Sequence, residues 1–172
     1  MAKFTGVSAS AGIAIKVPAT AGGHPTLWNP EGSDVAVAVR RLALSYVSGA
    51  NAPTALEWAF VDGAGSSAAT GAPIATATLV ASVGRLGRGS DALARWSPTT
   101  NTFTAAPVFN RPTGLSLFTG VAATAVAPFV LIATYDDDEF VLDPGTAICL
   151  CSQAATTTAL FQVGVTWEEI AE

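Results

Sequence analysis

The chain has 172 residues, enough for one domain with a core of its own. Half of the residues are hydrophobic, 12% are charged against a usual share of about 25%, and the net charge is −5. Its eight lysines and arginines are scattered and build no patch for a phosphate backbone, and no apolar run reaches the length of a membrane span, so neither nucleic acid nor membrane is expected as a direct partner.

So few charges leave little to cover a surface with, which implies that neighbouring chains cover part of it. The first residues, MAKFTGVSASAGIAIKVPATAGG, contain no continuous apolar stretch and do not read as a signal peptide, so the chain is expected to be made and kept in the cytoplasm.

Residues 1–30 are rich in Gly, Ala, Ser, Thr and Pro. They hold too few core residues to fold alone and are too apolar for a plain disordered tail. An extended N-terminal arm lying on a neighbouring subunit fits both facts, with Phe4, Ile13, Ile15, Val17, Leu27 and Trp28 as its contacts. A frayed terminus is the other reading. Residues 31–172 are expected to form the folded domain.

In DVAVAVRRLALSYVSG, Val35, Val37 and Val39 share one parity, and Leu42, Leu44 and Tyr46 share the other. Each half alternates like a strand with one dry face, and the switch at Arg40-Arg41 is what a one-residue bulge produces. Leu56, Trp58 and Phe60 alternate next, before the turn DGAGSS. PIATATLVASV is rich in strand formers. GRLGRGSDALARW reads as a long loop with a short helical turn at Ser90 to Arg95. Its Arg85 and Arg88 could clamp a carboxylate on another subunit, or be solvated cations. It is no P-loop, since G-x-x-x-x-G-K-[ST] is missing. TFTAAPVF and GLSLFTG read as two short strands separated by NRP, and VAPFVLIATY as a strand buried on both faces.

The pattern is clearest at the end. FVL, a DPG turn, TAICLC, SQAATTT and ALFQVGVTW follow one another. Phe161, Val163, Val165 and Trp167 share one face, and the other is polar or small apart from Leu160. Together these segments give eight to ten short strands and no amphipathic helix. The expected fold is an all-β antiparallel sandwich of jelly-roll type. Its core is expected to hold Val37, Val39, Leu42, Leu44, Trp58, Phe60, Phe161, Val163, Val165 and Trp167.

Four features invite chemistry. The run YDDDEFVLDPG could offer Asp136, Asp138 and Asp143 to a calcium ion, but the EF-hand spacing is absent. Acids between two apolar strands read better as a wet connection that opposes edge aggregation, so Asp136 to Glu139 are expected in solvent. A glycosidase pair has no fixed spacing, and Glu57 or Asp62 could join these acids in one. Cys149 and Cys151, two apart on a strand, share a face; they read as small buried hydrophobes in a reducing compartment. His24, the only histidine, lies in the Gly-rich arm, a poor place to hold a catalytic base. The four tryptophans read as core or interface rather than as sugar platforms. No catalytic residue, metal or cofactor is expected.

LWNPEGSDVAVAVRRLALSYVSG and FVLDPGTAICLCSQAATTTALFQVGVTWEEI resemble small β proteins of tailed-bacteriophage particles. The matching positions are Leu27, Asn29, Pro30, Gly32 and Ser33 at one end, and Leu142, Pro144, Gly145, Thr146, Trp167, Glu168 and Glu169 at the other. The resemblance covers both ends but not the middle, and its motifs are structural rather than catalytic. Asp34 departs from it, standing where Gly-Lys often follows the serine. The resemblance implies a virion structural protein, most closely a capsid decoration (cement) protein. Such a protein would form homotrimers on the outer capsid surface and bridge capsomers by binding the major capsid protein. A tail or baseplate receptor-binding head is the alternative, and a carbohydrate-active enzyme the third reading.

Overall fold

The computed structural model describes residues 2–19, 21–22, 24–50, 54–61, 80–82, 92–97, 101–103, 106–117, 129–136, 139–154 and 159–171. Among them there are thirteen strands and no helix. The strands are β1 (Ala2–Val7), β2 (Ala21–Gly22), β3 (Thr26–Asn29), β4 (Val35–Ser48), β5 (Thr54–Val61), β6 (Val80–Ser82) and β7 (Arg95–Ser97). β8 (Asn101–Thr102), β9 (Val108–Leu117), β10 (Val130–Thr134), β11 (Val141–Leu142), β12 (Thr146–Ser152) and β13 (Leu160–Ala171) complete the set.

They form two packed antiparallel sheets, as the alternating pattern predicts. One has the order β10-β4-β13-β1-β6, with β11 also paired to β4; the other runs β7-β3-β12-β5-β9; β2 and β8 pair apart. The eight strands of four residues or more are β1, β3, β4, β5, β9, β10, β12 and β13. Counted one to eight in chain order, they pair one with eight, two with seven, three with six and four with five. That is a nested set of antiparallel partners, the pattern of one long hairpin rolled into two layers.

The centre of the larger sheet is the β4–β13 ladder. Thr166 faces Arg41 and Trp167 faces Val39, so Arg40 is the extra residue of a bulge. This is where the valine and leucine parities switch, and the switch keeps both halves of β4 dry on one side. Val37, Val39, Leu42 and Leu44 from β4, and Phe161, Val163, Val165 and Trp167 from β13, are fully buried in the core. Trp58, Trp96, Leu27, Leu56 and Leu150 meet them from the facing sheet. Burying each such side chain contributes about 1.5–3 kcal/mol.

The bulge also aims Arg40 at Glu168. Its Nε and Nη2 donate to one carboxylate oxygen at 2.9 and 2.6 Å. Beside it, Glu169 is buried, and its Oε1 accepts from the backbone N–H of Leu93 and Ala94 at 2.9 Å each and from Trp167 Nε1 at 3.3 Å. The Trp-Glu-Glu ending thus fills the core, holds the bulge and anchors the approach to β7.

Four readings of the strand pattern are corrected by the structure. The NRP stretch does not divide two strands: β9 runs through it to Leu117. Pro112 is tolerated because β9 ends its sheet's order and its pairing to β5 is irregular there. β10 is not buried on both faces: Leu131 and Ala133 pack on the core, while Val130 and Ile132 are 59% and 48% exposed. Arg95 opens β7 and belongs to no helical turn. The DPG turn, as expected, links two strands, and it carries the chain from β11 in one sheet to β12 in the other. Phe60 shares the inward side with Trp58 but is only half-buried, since it stands at the end of the sandwich beside a cavity.

Candidate functional site

The arm expectation is replaced by a structured N-terminal segment. β1 lies between β13 and β6, with Phe4 opposite Trp167 and 2% exposed. Ile13 forms a bridge with Phe161, exchanging both backbone hydrogen bonds at 2.8 and 2.9 Å. Ile15 and Leu27 are fully buried in the domain's own core. Val17 and Trp28 are half-buried. These residues serve the sandwich itself. Their isolated apolar positions in a small-residue stretch resemble a tail because their partners lie far along the chain. Arg85 and Arg88 lie outside the described residues.

Apolar side chains reach solvent elsewhere. Val130 and Ile132 of β10 face outward opposite Ser45 and Ala43 of β4, and Val141 of β11 follows along the same strand opposite Ala38. On β9, Val108 is 68% and Phe109 40% exposed. β9 and β10 stand at the ends of their sheets' strand orders and touch each other. Sequence reasoning missed this edge because a continuous apolar run does not tell which side a second sheet covers. Val130, Ile132 and Val141 share one edge of the larger sheet, the kind of surface a partner covers.

The acidic run borders a cavity of about 310 Å³, lined in part by Phe60, Asn110, Arg111, Glu139, Phe140 and Asp143. Asp136, Glu139 and Asp143 are exposed. Asp137 and Asp138 lie outside the described residues. The turn holds itself: Glu139 N–H donates to the Asp136 carbonyl at 3.2 Å, and Asp136 N–H to Glu139 Oε2 at 3.4 Å. The Arg111 guanidinium donates to the Glu139 carbonyl and lies 5.2 Å over the Phe140 ring. Glu57 accepts a hydrogen bond from the Gln153 side chain, and Asp62 is outside the described residues. Arg111 and Glu139 are thus engaged in closing the turn. Among the described residues, no group of three or more His, Cys, Asp and Glu side chains is arranged to hold a metal ion.

No protein-family model, curated protein or solved structure matches the chain. What can be said of its chemistry therefore comes from its own geometry.

The least expected grouping is on the outer side of the smaller sheet. Ile148 and Leu150 of β12 enter the core, while Ala147, Cys149 and Cys151 face the other way. There, with Ala59, Val61, Phe103 and Trp28, they form a second apolar cluster. Both cysteines are free and buried, as their shared parity suggests. Their sulfurs lie 3.7 Å apart. His24, read as a polar residue of a loose arm, is fully buried, with Nδ1 3.7 Å from Cys151 Sγ. The hydrogen bond to Cys151 and burial hold the Cys149 thiol well above its usual range. The same Cys149 contact, helped by His24 and opposed by burial, draws Cys151 down to about 6. No sequence signal joins His24 to Cys151 across such a separation; only the pairing of β3 with β12 does.

Proposed function

We propose that the chain is a non-enzymatic virion structural protein: a jelly-roll capsid decoration (cement) protein. It forms homotrimers and binds the major capsid protein on the outer surface of a phage head. The observation that carries this reading is the apolar edge formed by Val130, Ile132 and Val141, with Val108 and Phe109 close by on β9. A chain with 12% charged residues that leaves such side chains in solvent is built to be covered. The nested pairing of eight strands supports the jelly roll. The phage-like motifs support the class, because every described residue of them serves the fold: Asn29 and Ser33 in one turn, Gly145 and Thr146 in another, Trp167 to Glu169 in the core and its rim. The acidic balance suits a surface turned away from packaged DNA.

The test has two parts. Light scattering on the purified chain should give about three times 17.3 kDa. Ile132→Asp should dissociate that species or abolish cosedimentation with empty heads made from the major capsid protein. A monomer that fails to sediment with heads would overturn the proposal. Sedimentation with purified tails instead would assign the chain to the tail.

A further inference from the structure

We propose that Cys149 and Cys151 form a buried site for one thiophilic monovalent metal ion of the Cu(I) class, walled on one side by the His24 imidazole. The two thiols project from one side of β12 with their sulfurs 3.7 Å apart. With metal–sulfur bonds of roughly 2.3 Å, two thiolates on one ion lie roughly 3.7 Å apart at a tetrahedral angle and roughly 4.6 Å apart when collinear. Two donors favour the collinear end of that range, so the sulfurs part by roughly 0.9 Å as the ion enters, a movement that side-chain rotation supplies.

The number of donors selects the ion. Structural zinc takes four ligands and calcium six to eight oxygens. Among the described residues no set of three candidate ligands converges. Two thiolates are enough for Cu(I), which prefers soft sulfur. A disulfide fits less well. Residues two apart on an extended strand have Cα atoms roughly 6.6 Å apart, near the upper limit for a bridge.

Cu⁺ displaces the thiol protons, which leave to solvent, and gives a bis-thiolate complex of charge −1. His24 Nδ1 lies 3.7 Å from Cys151 Sγ, within reach of a hydrogen bond to that sulfur. Ala59, Val61, Phe103 and Ala147 around it exclude competing water ligands.

The test is an anaerobic titration of the full chain with Cu(I), using bicinchoninate as competitor. One equivalent should bind per chain, and the melting temperature should rise. His24→Gln should weaken binding by about ten- to a hundredfold. Copper X-ray absorption of the loaded wild type should show two sulfur neighbours. No uptake by the folded chain would overturn the proposal, as would a copper shell without sulfur or equal uptake by a folded Cys149→Ala/Cys151→Ala variant. The trimer and head-binding assays are independent of this result.

Discussion

The side-chain amide of Asn29 donates to the carbonyl of Leu142 at 2.9 Å and to that of Val35 at 2.8 Å. It thereby joins the turn Pro30-Glu31-Gly32-Ser33 to the segment entering the DPG turn. Ser33 donates back to Asn29 Oδ1 at 2.7 Å, and Gly145 N–H to the Asn29 carbonyl at 2.8 Å. The Asn-Pro-Glu-Gly-Ser turn and the DPG turn are thus halves of one clamp. Asn29 is fully buried, so Asn29→Ala takes the amide donor from two carbonyls and leaves the Ser33 hydroxyl only its longer 3.4 Å contact with the Val35 carbonyl. The expected loss is about 2–4 kcal/mol in urea unfolding. Asn29→Asp should cost at least as much, because a carboxylate cannot donate to either carbonyl. A loss under about 0.5 kcal/mol in both variants would remove the clamp from the account.

Gly6 tests the packing between the sheets. A Cβ built there would lie 2.3 Å from Cγ and 2.4 Å from Cδ1 of the Trp96 indole. Trp96 is itself fully buried and cannot swing into solvent. Gly6→Ala should therefore destabilise by about 1–3 kcal/mol through overpacking. Gly164 is the control: its added Cβ would meet nothing nearer than 3.9 Å. Gly164→Ala should stay within about 0.5 kcal/mol of wild type. Equal effects of the two changes on the thermal midpoint would show that the indole does not close on Gly6.

What was legible in the sequence follows from which side chains carry a period. β4 and β13 were readable to the bulge because each has one dry and one wet or small face, and Arg40 marks the slip. Cys149 and Cys151 could be placed on one face for the same reason. The first thirty residues were not readable as core. Phe4, Ile15 and Leu27 stand singly among small residues, and what buries them is β13 and the facing sheet. VAPFVLIATY misled because apolar composition looks the same whether the second face meets a sheet or solvent. The thiol–imidazole contact depends on strand pairing over more than a hundred residues, which no local pattern encodes.

Glu169 offers a sharper test than truncation of Trp167. One carboxylate oxygen serves Leu93 N–H, Ala94 N–H and the Trp167 indole N–H. Glu169→Ala leaves these donors without that acceptor in a site that is 7% exposed at the glutamate. The expected loss is about 2–4 kcal/mol, with faster amide exchange at Leu93 and Ala94. Glu169→Gln keeps an acceptor oxygen and should recover more than half of the loss. If Gln were as harmful as Ala, the role would belong to the charge and not to the acceptor geometry.

Tyr135 gives the fold an alkaline limit. Its hydroxyl accepts from Trp58 Nε1 at 2.9 Å and donates to the Thr113 carbonyl at 3.3 Å. Burial raises the phenol to about 12; the Trp58 hydrogen bond opposes this, and the Glu139 charge adds to it. In the unfolded chain a tyrosine titrates at about 10. The unfolded state therefore gives up its proton first. The contribution is fully present below about pH 10 and is lost as the pH rises toward 12. Two pH units correspond to about 3 kcal/mol. Urea unfolding at pH 8.5 and at pH 11 should show wild-type stability falling between them. Tyr135→Phe should start lower, because Trp58 loses its acceptor, but fall less over the same interval. Parallel declines in the two proteins would mean that the alkaline loss belongs to other groups.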